Sequence, residues 1–288
     1  MQLSLLSTTV RTTHESECPD IGPICAERDE PPQLHDQRFA VGELRASVGH
    51  AFTDALGVEL QVPLRLNHTT IQFRQLDGTP VTLDYESIHH RNETLFGLGD
   101  PWVQGRYAFP LGPVQLSARA GFTVPLAKTV EDPFALGAAG QSHQHVQFGT
   151  GTVQPLLALE AGRAWDSWSA RLWGQAQLSV AENSHGFRAG HRFSLGVSST
   201  LKLTGSLRAS AGADVANEQP ERWDGVIQQD GNLGRTDVLL GGGLHWDVSR
   251  VQLGLTLRVP VYTHIIGHHG QLEYPGLLGL NVGTVFGP

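Results

Sequence analysis

No stretch of this sequence approaches the roughly 20 uninterrupted apolar residues that a membrane-spanning helix needs, which excludes a helical membrane protein. Basic charge is also scarce: 20 Lys and Arg face 28 Asp and Glu, a formal charge of −8, and a nucleic-acid partner wants the opposite balance. Cysteine is nearly absent. Cys18 and Cys25 are the only two and sit in the polar, proline-bearing run Cys18-Pro19-Asp20-Ile21-Gly22-Pro23-Ile24-Cys25. A disulfide closing that run suits an oxidising envelope compartment; two unpaired thiols or half a metal site are the alternatives. The start of the chain lacks a basic segment, a long apolar core and a small-residue cleavage site, since Met1 leads directly into Gln2-Leu3-Ser4-Leu5-Leu6. The expectation is therefore of a mature sequence.

What the chain does have is alternation. From Val114 to Leu126, the residues Val114, Leu116, Ala118, Ala120, Phe122, Val124 and Leu126 fall on one face, and Gln115, Ser117, Arg119, Gly121 and Thr123 on the other. The same period of two recurs in Val58 to Asn67 and Val251 to Val261. About twelve such segments are expected, at 2–12, 37–52, 57–74, 95–109, 114–126, 145–163, 168–181, 191–203, 207–216, 235–247, 251–263 and 275–286. The linkers after even-numbered segments are tight and rich in Gly, Pro, Asp and Ser, whereas those after odd-numbered segments are long.

Regular asymmetry of this kind predicts an all-β, antiparallel up-and-down transmembrane barrel, one domain over 1–288, with short periplasmic turns and long extracellular loops. A soluble β-sandwich would also alternate. Phe52, Phe109, Trp165, Trp168, Trp246 and Phe286 collect at the short-turn ends like an interfacial girdle, which favours the barrel and places it in the outer membrane of a diderm bacterium. Its expected partners are outer-membrane lipid, lipopolysaccharide and a small-molecule solute.

Assigning faces sends Arg45, Arg65, Arg106, Arg119, Arg171, Arg192, Lys202, Arg208 and Arg258 inward, with Glu43, Glu59, Asp100, Glu160, Asp214 and Asp237. These charges form either a ladder of cross-strand pairs that neutralises a narrow barrel or a lining that selects solutes by charge. Twelve strands lie between small barrels filled by side chains and wide porins, so a narrow selective pore, or one closed by its own segments, is expected.

The first long loop, 13–36, carries Glu15, Glu17, Asp20, Glu27, Asp29, Glu30 and Asp36 against Arg28, and is read as solvated, cation-attracting or folded inward. Of fourteen histidines, only His50 and His245 map to the periplasmic half. His89, His90, His143, His145, His264, His268 and His269 could converge at the extracellular mouth on a divalent transition-metal ion, or they could be tolerated polar loop residues. No other cofactor is expected. Enzyme signatures are weak: in Asn183-Ser184-His185-Gly186 the serine and histidine would point to opposite faces of a strand, so no enzyme is expected.

The run Gly97-Leu98-Gly99-Asp100-Pro101, then a strand, a tight turn, a strand ending Ala120-Gly121-Phe122-Thr123-Val124-Pro125-Leu126, a loop, and Phe148-Gly149-Thr150-Gly151, resembles the MetA-pathway phenol-degradation, or transporter-like, family of outer-membrane proteins. The resemblance covers mainly 95–181. It implies a β-barrel channel associated with uptake of aromatic or other hydrophobic compounds. Leu126-Ala127 stands where that family's pattern has a proline-threonine-glycine type of turn.

Overall fold

The computed structural model describes residues 1–16, 31–266 and 272–286. The expected Cys18–Cys25 bridge, His268 and His269 lie outside the described residues. The strands are β1 (Gln2–Ser16), β2 (Gln33–Ala51), β3 (Leu56–Gln75), β4 (Pro80–Val81), β5 (Glu93–Leu98), β6 (Trp102–Leu111), β7 (Val114–Thr123), β8 (Pro155–Ala164), β9 (Trp168–Gln177), β10 (Phe187–Arg188), β11 (Arg192–Lys202), β12 (Leu207–Glu218), β13 (Arg222–Trp223), β14 (Arg235–Val248), β15 (Val251–Ile265) and β16 (Leu277–Thr284).

Successive long strands pair antiparallel, and β1 bonds both to β2 and to β16, so the sheet closes on itself. β5 and β6 form one interrupted stave, both pairing with β3, which gives a closed barrel of twelve staves. Closure leaves the twelve staves without a free edge, as a membrane interior without water requires. β4 is a short flap on β3, and β10 pairs with β13 in a separate ribbon.

Side chains alternate as the sequence dictates. On β15, Leu253, Leu255, Leu257 and Val259 are exposed on the outer wall, and on β8 Leu159 is 69% exposed. An apolar surface that continuous would be untenable in water and is the expected lipid face of an outer-membrane barrel. A sandwich would have buried those residues between two sheets.

The turns at 52–55, 112–113, 165–167, 203–206 and 249–250 lie at one end. Thr53 and Thr204 each accept two backbone N–H bonds through the side-chain hydroxyl, at 2.9–3.2 Å and 3.0–3.3 Å. Short polar side chains can close a turn this way. At the same end Trp165 stacks on Trp168 with centroids 3.9 Å apart, and Phe52, Trp246 and Phe286 are exposed. The aromatic girdle lies where the sequence places it.

Five expected boundaries differ by three residues or more. β1 and β2 run on to Ser16 and from Gln33, so His14, His35 and Asp36 are strand residues rather than part of the first loop. Strand pairing stops at Thr123 and resumes at Pro155, and the alternating run 145–154 is not a strand. Likewise β9 ends at Gln177 rather than 181. In each of the last two cases the chain leaves the wall to pack against other connections.

Candidate functional site: the lumen and its outer mouth

Along the inner wall, carboxylates and guanidinium groups meet in pairs. Glu43 on β2 accepts from Arg45 on its own strand and from Arg65 on β3 at 3.0 Å. The Arg45 guanidinium also lies over Trp102, 4.8 Å from the ring centroid. Further round, Arg171 meets Glu160 at 2.7 Å, Arg258 meets Asp214 at 3.6 Å and Arg119 meets Glu59 at 3.9 Å. Arg208 bonds Asp247 and Arg192 bonds Glu218, each at 2.9 Å. Glu218 and Asp247 are not among the expected lining residues, although both keep the inward parity of their strands.

Arg106 and Lys202 have no carboxylate partner among the described residues. Lys202 donates to the Asp166 carbonyl at 3.1 Å. Arg106 stands directly opposite Arg119 in the β6–β7 register, a like-charge pair. The inward cations are not buried by one another: the side chains of Arg171, Arg192 and Arg258 keep 50%, 46% and 45% of their exposure. The guanidinium groups on these staves are therefore about half open to water.

Asp100 was expected among the lining charges and does something else. It sits between β5 and β6, where Pro101 supplies no N–H to the ladder, and its carboxylate is turned toward the connection 124–154. One oxygen accepts from the backbone N–H of Ala127 at 3.1 Å, and the other from the N–H and hydroxyl of Thr150 at 2.7 and 3.0 Å. Arg65 donates to the Phe148 carbonyl at 2.8 Å. A Cβ on Gly97 would lie 2.7 Å from the Phe148 ring, and one on Gly149 would lie 2.5 Å from Ala127 Cβ. The two glycine motifs separated by fifty residues are thus the two halves of one close contact.

The outer end is packed by its own connections. The helix Pro133–Ala138, capped by Asp132 at the N–H groups of Phe134 and Ala135, brings Phe134 against His145 and Trp223. Trp223 and Phe187 are buried across the β10–β13 ribbon. At the same outer end, Asp237 accepts from Arg235, Thr263 and Tyr274 at 2.6, 2.6 and 3.1 Å. Burial and that carboxylate push the Tyr274 hydroxyl up to about 12. The segment holding Ser184 and His185 is a turn closed by Asn183, whose side chain accepts from the N–H groups of His185 and Phe187.

Histidines converge in a different combination from the expected one. His14 on β1 and His35 on β2 are paired across the ladder, and His90 reaches them from the connection 76–92. His89, His143 and His145 form a second group, stacked on the first through His89 and His90 at 3.9 Å. His264 belongs to neither. Burial and neighbouring imidazoles lower His89 to about 2 and His145 to about 4, and lower His90 strongly, so all three are neutral near pH 7.

No protein-family model and no curated protein matches the sequence. Among solved structures, an outer membrane channel from Pseudomonas putida F1 is similar with a TM-score of 0.60 at 15% identity, covering 99% of this chain and 95% of that one. That likeness is one of fold: the chain is a twelve-stave outer-membrane β-barrel. The NanC porin is more distant, with a TM-score of 0.46 at 8% identity over 97% of this chain and 100% of that one. The Pseudomonas putida toluene transporter TodX has a TM-score of 0.44 at 11% identity, covering 98% and 88%.

Proposed function

We propose that this barrel is a channel for passive passage of small solutes across the outer membrane, working down a gradient through a narrow charged lumen. One observation carries the reading: inward arginines on β9, β11 and β15 keep about half their exposure although each meets a carboxylate. A barrel filled by its own side chains would bury them.

The wall sorts by charge at the places where cations outnumber carboxylates. Glu43 is shared by Arg45 and Arg65, and Arg106 faces Arg119 without a carboxylate of its own. Anionic solutes are favoured there, as at rings of fixed charge in other pores. Asp100 contributes by fixing the connection 124–154, and hence the width at the outer end, rather than by touching the solute.

Aromatic cargo, which the family resemblance implies, is a second reading. Trp102 beneath the Arg45 guanidinium and Trp173, whose indole lies 2.7 Å from where a Gly196 Cβ would stand, supply inward aromatic faces. Liposome swelling with the purified barrel distinguishes the two. Faster entry of small carboxylates than of neutral sugars of equal size supports the anionic reading, and faster entry of neutral aromatics supports the second. Equal exclusion of every solute contradicts both.

A further inference from the structure

The geometry points to a binding site for a divalent transition metal of the zinc, copper and nickel class, built by His14, His35 and His90 on the inner face of β1 and β2 and extended by His89, His143 and His145. Within each group of three, one ring nitrogen per residue lies within 4.8 Å of the others. His14 Nε2 and His90 Nε2 are 3.1 Å apart. Two nitrogens on one tetrahedral zinc, each at about 2.0–2.1 Å, stand roughly 3.3–3.4 Å from each other. A shift of a few tenths of an ångström converts the pair into two ligands of one ion.

The second observation is His35. It is 0% exposed, and among the described residues neither of its ring nitrogens has a hydrogen-bond partner. A buried imidazole has one donor and one acceptor to satisfy, and leaving both unmet is costly. Its ring packs against His14, His90 and Phe73, and of these the two imidazoles can share a metal ion with it.

Tautomers are set from outside the groups. His14 Nδ1 lies 3.0 Å from the Glu15 carbonyl, and His143 Nδ1 lies 2.9 Å from the Gln141 carbonyl. A carbonyl can only accept, so each Nδ1 carries the proton and each Nε2 presents a lone pair. Orientation of a ligating imidazole through its other nitrogen is how metal sites fix their ligands. Gln37 meets His90 Nδ1 from β2 and does the same once its amide oxygen faces the ring.

The donor set decides the class of ion. All six donors are imidazole nitrogens, and the neighbouring Glu93 is engaged by Gln144 at 2.6 Å and by Arg91 at 3.9 Å. Calcium and magnesium want oxygen ligands, whereas imidazole suits zinc, copper and nickel. An ion on the first group would join the wall strands β1 and β2 to the connection 76–92, and one on the second would join that connection to 124–154. The inference does not depend on solute passage through the barrel.

The test is calorimetric titration of the untagged, refolded full-length chain in detergent with zinc chloride and, separately, copper chloride. Saturable binding at micromolar Kd or tighter is expected, weakened at least tenfold by His14→Ala with His90→Ala and unchanged by His264→Ala. Failure of the native chain to bind more tightly than about millimolar overturns the site. So does binding abolished by His264→Ala and untouched by the double variant. Should the double variant fail to refold, X-ray absorption on the zinc-loaded native chain decides. Imidazole scattering with nitrogens at about 2.0 Å supports the site, and an oxygen-only shell contradicts it.

Discussion

Asp100 accepts two hydrogen bonds from Thr150, one from the backbone N–H at 2.7 Å and one from the hydroxyl at 3.0 Å, joining the break between two strands to a connection fifty residues further on. The same carboxylate holds Ala127 N–H with its other oxygen. Three donors on one buried carboxylate make this contact the principal anchor of residues 124–154.

Asp100→Asn keeps the size of the side chain and removes an acceptor. At least one charge-assisted bond is lost, worth about 1.5–3 kcal/mol. Thermal unfolding followed by circular dichroism is expected to shift downward, and limited proteolysis to cut within 124–154 before any strand is attacked. An unchanged cleavage pattern would contradict the anchoring role of Asp100.

Gly149→Val tests the same contact from the other side. A Cβ there lies 2.5 Å from Ala127 Cβ and 3.0 Å from Asp100 Oδ1, so the connection must move away from the wall. Overpacking of this kind costs about 1–3 kcal/mol. The measurement is the same proteolysis, and the expected result is the same early cleavage with Asp100 intact.

Glu43→Gln leaves Arg45 and Arg65 without their shared carboxylate. Loss of one charge at about 4 Å in a watery lumen is worth about 1 kcal/mol, or roughly fivefold in relative permeability. Reversal potentials in asymmetric potassium chloride are expected to move toward greater chloride preference.

Arg106→Gln has opposite effects on stability and conduction. Removing one member of the like-charged pair with Arg119 relieves a repulsion of about 0.2–1 kcal/mol, so the barrel unfolds at a slightly higher temperature. Chloride preference falls, because Arg106 is a cation with no carboxylate opposite it. A drop in both quantities would mean that Arg106 holds structure rather than field.

Much of this architecture is legible in the sequence because a strand in a barrel has one wet face and one lipid face, and a period of two cannot slip without exposing arginine to hydrocarbon. Leu253, Leu255 and Leu257 show that constraint directly. It fails where the alternation has another cause. His145 to Phe148 alternate like a strand yet lie on the inner wall, held by Arg65 and Asp100, and nothing local distinguishes the two outcomes. The histidine groups were hidden for a different reason. His14, His35 and His90 are far apart in sequence, and their meeting depends on the β1–β2 register, which pairs residue 14 with residue 35. Extending the two strands by four residues each, so that Thr12, His14 and Ser16 face Gln37, His35 and Gln33, would have revealed the pair.

Single-channel recording of the purified barrel in a planar bilayer tests most directly the proposed open, water-filled path through the twelve staves. Discrete, reproducible conductance steps with a reversal potential on the anion side are predicted. Stable insertion of folded barrel, verified by its resistance to protease, with no ion current at any applied voltage would contradict it.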